Sequence, residues 1–247
     1  MSSELGTKNM NWVAGIDGCR AGWIVVSLQQ TTSTWTHRVA LCPKFADVLA
    51  LTPTPAVIAL DMPIGLLDVQ QPGGRVCDQQ ARQLLGRRAS SIFTPPTRPM
   101  LQATRYEQVR TQGLSIQSFN ILPKIREVDQ LMTPALQQRV HEAHPELAFM
   151  SLAGVPMQHN KKTPEGREER LRILEGAFQG MRQTFENTCR AFKRSEVAVD
   201  DVLDAYVLAW TALRIRAGQA NHVPDSPPKD RKKLRMEIWY GAPYHIV

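Results

Sequence analysis

Four aspartates carry the strongest chemical signal in this chain: Asp17, Asp61, Asp201 and Asp204. Asp17 closes an apolar run, Trp12 to Ile16, that reads as a short buried strand, and Asp61 closes another, Ala56 to Leu60. Ligands of an α/β sheet gather at the carboxyl ends of its strands. If these two strands are neighbours, about 4.8 Å apart, both carboxylates address one point. Asp201 and Asp204 are three apart in Asp201 to Ala217, the clearest helical pattern of the chain, and so share a face. The rest of that face is apolar: Ala205, Leu208 and Ala212. Burying an unpaired charge there costs several kcal/mol, so something cationic must wait for Asp204. Asp200 reads as an N-cap. Asp201 suits a first turn through the helix dipole. Asp204 is too deep for either role.

Hard carboxylate oxygens select Mg²⁺ or Mn²⁺ over zinc. Such a cluster can hold two ions ~3.5–4 Å apart, one activating water and the other stabilising a leaving oxygen. The chemistry expected is phosphodiester hydrolysis. A second acidic knot, VHEAHPE, holds Glu142, His144 and Glu146, which offer an additional ligand or general acid/base. The alternative for this knot is pairing with Arg82 or Lys124.

The elements that must position these groups follow from pattern. Trp23 to Leu28 and Thr34 to Leu41 read as second and third strands, joined to the first by short turns in an antiparallel meander. Pro43 to Leu51 reads as a helix and Ala56 to Leu60 as a strand buried on both faces. Past Asp61 come a Pro/Gly-rich loop, a helix over Cys77 to Leu85, an irregular stretch over Gly86 to Pro99, and helices over Tyr106 to Gln112 and Phe119 to Met132. Val140 to His144, and then Leu147 to Leu152, are expected to return to strand. Pro164 to Cys189 reads as a helix broken near Gly176 and Gly180, and Met236 to Tyr240 as a last short strand. The pattern implies an α/β chain: a flexible leader over 1–11, one domain over 12–217 with a largely helical insert over about 66–135, and an extension over 218–247 packing on it.

At 247 residues, 43% hydrophobic and 21% charged, the chain can bury a full core. Its net charge of +7 favours acidic partners such as nucleic acid. From Gln79 to Tyr106 there are five arginines, Arg82, Arg87, Arg88, Arg98 and Arg105, and no acid; a second basic cluster runs from Lys229 to Arg235. Cys19, Cys42, Cys77 and Cys189 lack metal-ligand spacing, which argues against structural zinc and fits a reducing compartment. No apolar run nears the ~18 residues of a membrane span, and no signal core is seen at the start, so a cytoplasmic location is expected.

The segments GIDGCRAGW, LDMPIGL, CDQQARQLLG, KIREVD, EAHPE and DDVLDAYVLAW, in that order, resemble the predicted ribonuclease-H-like nuclease family, also catalogued as domain of unknown function 429. The likeness runs from Val13 to about Arg216. It implies a ribonuclease-H-like fold: a five-stranded mixed sheet flanked by helices in the order β-β-β-α-β-α-β-α. Asp201-Val-Leu-Asp204-Ala resembles the metal-binding D-x-x-D-A helix of Holliday-junction resolvases in that superfamily. By that resemblance Asp17, Asp61, Asp201 and Asp204 are both the catalytic and the metal-binding residues, although Asp61 stands where the resolvases usually carry Glu. The stretch LLGRRASSIFTPPTRPM resembles the family's basic loop, which makes Arg82, Arg87, Arg88 and Arg98, with Lys124, the expected phosphate-binding cations. The competing expectation is that these arginines pair with Glu107, Glu127 or Asp129.

The function expected is a Mg²⁺- or Mn²⁺-dependent nuclease acting on nucleic acid. Two alternatives remain at this stage. One is an ATP-using phosphotransferase of the actin–hexokinase type, which shares the core fold but needs a second phosphate hairpin and a glycine-rich adenosine site. The other is a non-catalytic module that binds nucleic acid or protein.

Overall fold

The computed structural model describes residues 12–31 and 34–242; the expected leader over 1–11 lies outside them. Five strands, β1 (Val13–Cys19), β2 (Gly22–Gln30), β3 (Trp35–Cys42), β4 (Val57–Leu60) and β5 (Val140–Glu142), form one mixed sheet in the order β3-β2-β1-β4-β5. The meander β1-β2-β3 is antiparallel, while β4 and β5 run parallel to β1. The chain is therefore α/β, with helices on both sheet faces.

The helices are α1 (Phe45–Leu49), α2 (Val76–Leu85), α3 (Glu107–Arg110), α4 (Ile116–Asn120), α5 (Leu122–Leu131), α6 (Pro145–Ala153), α7 (Pro164–Ala177), α8 (Met181–Ala191) and α9 (Val199–Arg216). One core lies between the sheet and α6 to α9, where Val13, Ile24, Val26 and Ala59 meet Ala205, Leu208 and Ala212. The other lies beneath α1 and α5, where Ala14, Ile16, Val25, Ile58 and Leu60 meet Phe45, Ile125 and Val128. Successive strand residues point to opposite faces, so Val13, Gly15 and Asp17 address α9, and so do Ala59 and Asp61. Parallel pairing matches Ile16 with Leu60, which sets Asp17 level with Asp61; the Asp61 N–H donates to the Ile16 carbonyl at 3.0 Å.

Gly15 fixes how close α9 lies. A Cβ there would stand 2.1 Å from the Ala205 carbonyl oxygen and 2.1 Å from the Ala209 nitrogen. Only a residue without a side chain lets the helix backbone rest directly on β1.

Several element assignments are corrected. Leu147 to Leu152 is not a strand but the body of α6. Pro145 sits in its first turn, and the His144 ring accepts the Glu146 N–H at 3.2 Å. The N-cap of α9 is Ala198, not Asp200; the Asp201 carboxylate accepts the Ala198 N–H at 2.9 Å and so closes that end. The Tyr106 to Gln112 helix shrinks to α3, and Phe119 to Met132 is divided between α4 and α5. The last strand is β7 (Ile238–Gly241), which pairs with an unforeseen β6 (Ala220–Val223), and Trp239 bridges to Ala143 beside β5. No described helix is long and apolar enough to cross a membrane.

Candidate functional site: an aspartate cluster closed by a lysine

Sheet alternation and the close approach of α9 bring the four aspartates to one end of the sheet. Asp17 is buried, Asp204 is 1% exposed, and Asp61 and Asp201 are half-buried. Their electrostatics report the convergence. Burial first, then the charges of Asp61, Asp204 and Asp201, holds the Asp17 carboxyl well above the usual carboxylate range. Burial, and then Asp204, pushes Asp61 up to about 7 despite Lys161. Burial raises Asp201 to about 6, against the opposing hydrogen bond from Ala198. Asp204 is raised by burial too, opposed by Lys161.

Lys161 is the cation that a buried Asp204 requires. Its Nζ donates to Asp204 Oδ2 at 2.6 Å and stands 3.8 Å from Asp200 Oδ2. The surrounding carboxylates, Asp204 first, hold the ammonium firmly protonated. Asp204 Oδ1, by contrast, is buried without a hydrogen-bond partner. Asp17 Oδ1 accepts the Gly18 N–H at 2.7 Å. Among the described residues, no group of three or more His, Cys, Asp or Glu side chains is set to hold a metal ion as the side chains stand. The donor chemistry nonetheless fits a hard divalent ion: mutually repelling carboxylates, one with a bare buried oxygen.

The second acidic knot is engaged inside the fold. Alternation along β5 turns Glu142 to the face of Val140, away from the Ala59 and Ala143 side. There it meets Arg75 at 2.5 Å and accepts the Ile64 N–H at 2.7 Å, while Arg75 also grips Asp78 at 2.7 Å. Burial nevertheless lifts Glu142 to about 7. Both His144 ring nitrogens are occupied, by the Glu146 N–H and by the Ser91 carbonyl, and burial lowers the ring to about 4. Glu146 pairs with buried Arg170 at 2.5 Å and with Arg88 at 3.3 Å. The pairing expected for the knot, with Arg82 or Lys124, does not occur; Arg75, Arg88 and Arg170 take that place.

The expected phosphate-binding cations separate into two groups. Arg98 is held by Asp129 at 2.9 Å and Asp230 at 2.5 Å, and Arg82 spans the Ile92 and Gly73 carbonyls and the Thr94 hydroxyl. Both tie the insert together. Glu127 is taken by the Trp23 indole and the Phe45 N–H rather than by an arginine. Arg87 and Arg88 instead sit on the 3-10 turn Gly86–Ser91. They reach Gln158 and the His159 carbonyl at 2.8 Å each, on the loop that carries Lys161. Lys124 also borders the site. Its Nζ donates to the Gly22 carbonyl at 2.5 Å and lies over the Trp23 ring; burial lowers its pKa, while Asp17 and Asp201 act in the opposite sense. The basic cluster Lys229 to Arg235 is stitched to its surroundings: Arg231 to Asp68, Lys232 to Asp129 and Arg235 to Glu237.

Lys161 escaped the sequence reading although the demand for a cation at Asp204 was legible. The partner lies 43 residues away, and HNKKTPEG offers no pattern that singles it out. A wide concavity of about 1180 Å³, lined by Trp35, Phe178, Trp210 and Arg172 among others, lies at the opposite end of β1 and α9 and takes no part in the cluster.

A family described as "Protein of unknown function (DUF429)" matches residues 15–229, a span that contains every aspartate of the cluster and Lys161. No curated protein and no solved structure matches the chain.

Proposed function

The chain belongs to the DUF429 family, and from that premise we propose that it is a divalent-metal-dependent nuclease hydrolysing phosphodiester bonds of nucleic acid on a ribonuclease-H-like sheet. One observation carries the reading. Asp17, Asp61 and Asp204 come from three distant elements, burial and the Asp204 charge raise the proton affinity of Asp17 and Asp61, and the buried Asp204 Oδ1 is left without a partner. A fold retains so costly an arrangement where a multivalent cation offsets it.

Mg²⁺ or Mn²⁺ would be held by Asp17, Asp61 and Asp204, with Asp201 at the edge, and would supply an activated water and a counter-charge for the leaving oxygen. The chain's own residues do the rest. The Gly18 N–H orients Asp17 through its 2.7 Å hydrogen bond. Asp201 divides its carboxylate between the cluster and the α9 terminus. Lys124 borders the acids, Arg87 and Arg88 reach the loop that carries Lys161, and all three would offer positive charge to a phosphate backbone. The sheet order with an acid near the carboxyl end of β1, another after β4 and two on the closing helix supports the ribonuclease-H-like assignment. The reducing-compartment character of its free, mostly buried thiols supports a cytoplasmic setting.

The test is cleavage of single-stranded DNA, duplex DNA, branched DNA and RNA by the whole chain with Mn²⁺, Mg²⁺ or EDTA. Wild type should cut at least one substrate with metal alone, and Asp17→Asn and Asp204→Asn should not. Cleavage that persists in EDTA, or no Mn²⁺ binding by calorimetry, would refute the proposal.

A further inference from the structure

We infer that Lys161 supplies one positive charge of the aspartate cluster, so that the site takes a single divalent ion, and that removing this ammonium opens a second ion position. The inference rests on the metal-dependent reading above and concerns how many ions that site holds.

Asp204 is the residue that decides. Its carboxylate is 1% exposed, so solvent cannot neutralise it. One oxygen, Oδ2, is occupied by Lys161 at 2.6 Å, and the other, Oδ1, is buried with no partner. Two ions held ~3.5–4 Å apart draw on the same few carboxylate oxygens, so each oxygen already occupied counts against the second ion. Asp204 can offer an ion only Oδ1 while the lysine holds Oδ2. An ammonium within hydrogen-bond reach of that oxygen also repels a second divalent ion at the same place. One ion plus one ammonium therefore fills the charge demand that two ions would otherwise meet.

The loop that carries Lys161 is anchored on both sides, and the lysine side chain itself is 36% exposed. The His159 carbonyl, two residues before it, accepts from Arg88 at 2.8 Å and from buried Arg170 at 3.2 Å. Glu169 of α7 accepts the Gln158 and His159 N–H groups at 2.7 and 3.0 Å. Behind it, Thr163 caps α7 by accepting the Gly166 N–H at 3.1 Å. The loop is pressed so closely on α7 that a Cβ at Gly166 would meet the Asn160 carbonyl oxygen at 1.9 Å. Arg88 thus ties Glu146 of α6 to the loop that delivers the ammonium.

The experiment counts ions. EDTA-stripped whole chain, as wild type, Lys161→Arg and Lys161→Met, is titrated with Mn²⁺ by calorimetry, and the loaded forms are examined by electron paramagnetic resonance. Wild type and Lys161→Arg should bind one Mn²⁺ per chain and give an isolated-ion spectrum. Lys161→Met should bind two, give a spin-coupled spectrum, and gain more in melting temperature from Mn²⁺ than wild type. Lys161→Gln serves as a second neutral variant should the methionine form not fold. Two ions in wild type would overturn the inference and leave the metal-dependent reading intact, as would a single ion in both neutral variants. No Mn²⁺ binding by any form would overturn both.

Discussion

Gly15→Ala tests whether the close approach of α9 to β1 builds the site. The new methyl would stand 2.1 Å from two backbone atoms of α9, whereas ordinary contact begins at 3.4 Å, so the helix must retreat by more than about 1 Å. Gly15 lies outside the left-handed region, so backbone strain does not contribute and the whole effect is steric. Overpacking commonly costs about 1–3 kcal/mol. Here the obstacle is helix backbone rather than a side chain that can turn aside. A gap of 0.5–1 Å forfeits roughly a quarter to a half of each dispersion contact. Ala205, Leu208 and Ala212 would lose theirs against the sheet together. We therefore expect a loss of about 3–5 kcal/mol in urea unfolding, at the top of the overpacking range or beyond it. Asp204 would retreat with the helix from Asp17, and a shift of ~1 Å in an active site can cost about 100-fold in rate. Gly18→Ala is the control, because its methyl meets only the flexible Lys124 chain, at 2.8 Å, and should cost less than about 1 kcal/mol. A Gly15→Ala protein within about 1 kcal/mol of wild type that keeps the full Mn²⁺ stabilisation would refute the reasoning.

Three further outcomes are expected. In EDTA, Asp204→Asn should stabilise the fold by on the order of 1 kcal/mol, because burial makes charge at this position unfavourable and the amide still offers Lys161 an acceptor; a lower melting temperature than wild type would contradict this. His141 is buried against Trp239, and burial lowers its pKa from 6.5 to about 4, so the neutral ring's contribution is complete above pH 6.5 and is lost as pH falls toward 4. His141→Gln should therefore lack about 2–3 kcal/mol of the stability that wild type loses between about pH 7.5 and 4.5, and parallel pH profiles in urea unfolding would sink that assignment. Replacing Arg87 and Arg88 together by Gln should weaken nucleic-acid binding on every sequence and reduce the salt slope by about 0.7–0.9 for each lost phosphate contact, whereas an unchanged slope would make the 3-10 turn purely structural.

What was legible in the sequence were the elements whose burial is periodic. β1, β2, β3 and β4 announce themselves by β-branched or continuous apolar runs, and α9 by its long apolar face, so the placement of all four aspartates could be read in advance. Leu147 to Leu152 misled because a short apolar run fits a buried strand and a buried helix equally well. The arbiter was local: Pro145 and the capping ring of His144 start a helix. Pairing was far less legible than position. Glu142 also ends a strand, and the two-residue alternation turns it to the other face and onto Arg75, although its charge still raises the Asp61 carboxyl. The arginine-only stretch looked uniform, but Arg82 and Arg98 bind the insert while Arg87 and Arg88 reach the Lys161 loop, a division set by contacts 71 residues apart.

The burial of Asp204 posed a choice in the sequence between a metal ion and a salt bridge, and the structure shows a salt bridge at one carboxylate oxygen and no partner at the other. An aspartate on an apolar helix face needs positive charge, and Lys161 provides it at Oδ2. If the pair were only structural, it would be expected to satisfy both oxygens, because an unmet buried carboxylate oxygen forfeits a charge-assisted hydrogen bond. Oδ1 is instead left bare, and Asp17 and Asp61 have their own carboxyls held above their usual range by burial and by the Asp204 charge. Among the described residues the other cations nearby donate elsewhere: Arg170 to Glu146, Lys124 to the Gly22 carbonyl, and Arg88 to the His159 carbonyl while pairing with Glu146, although the Arg170 charge still acts on Asp204. On the proposed metal-dependent reading an exchangeable cation meets the remaining charge, with Lys161 occupying one oxygen of Asp204 and the other left for the ion.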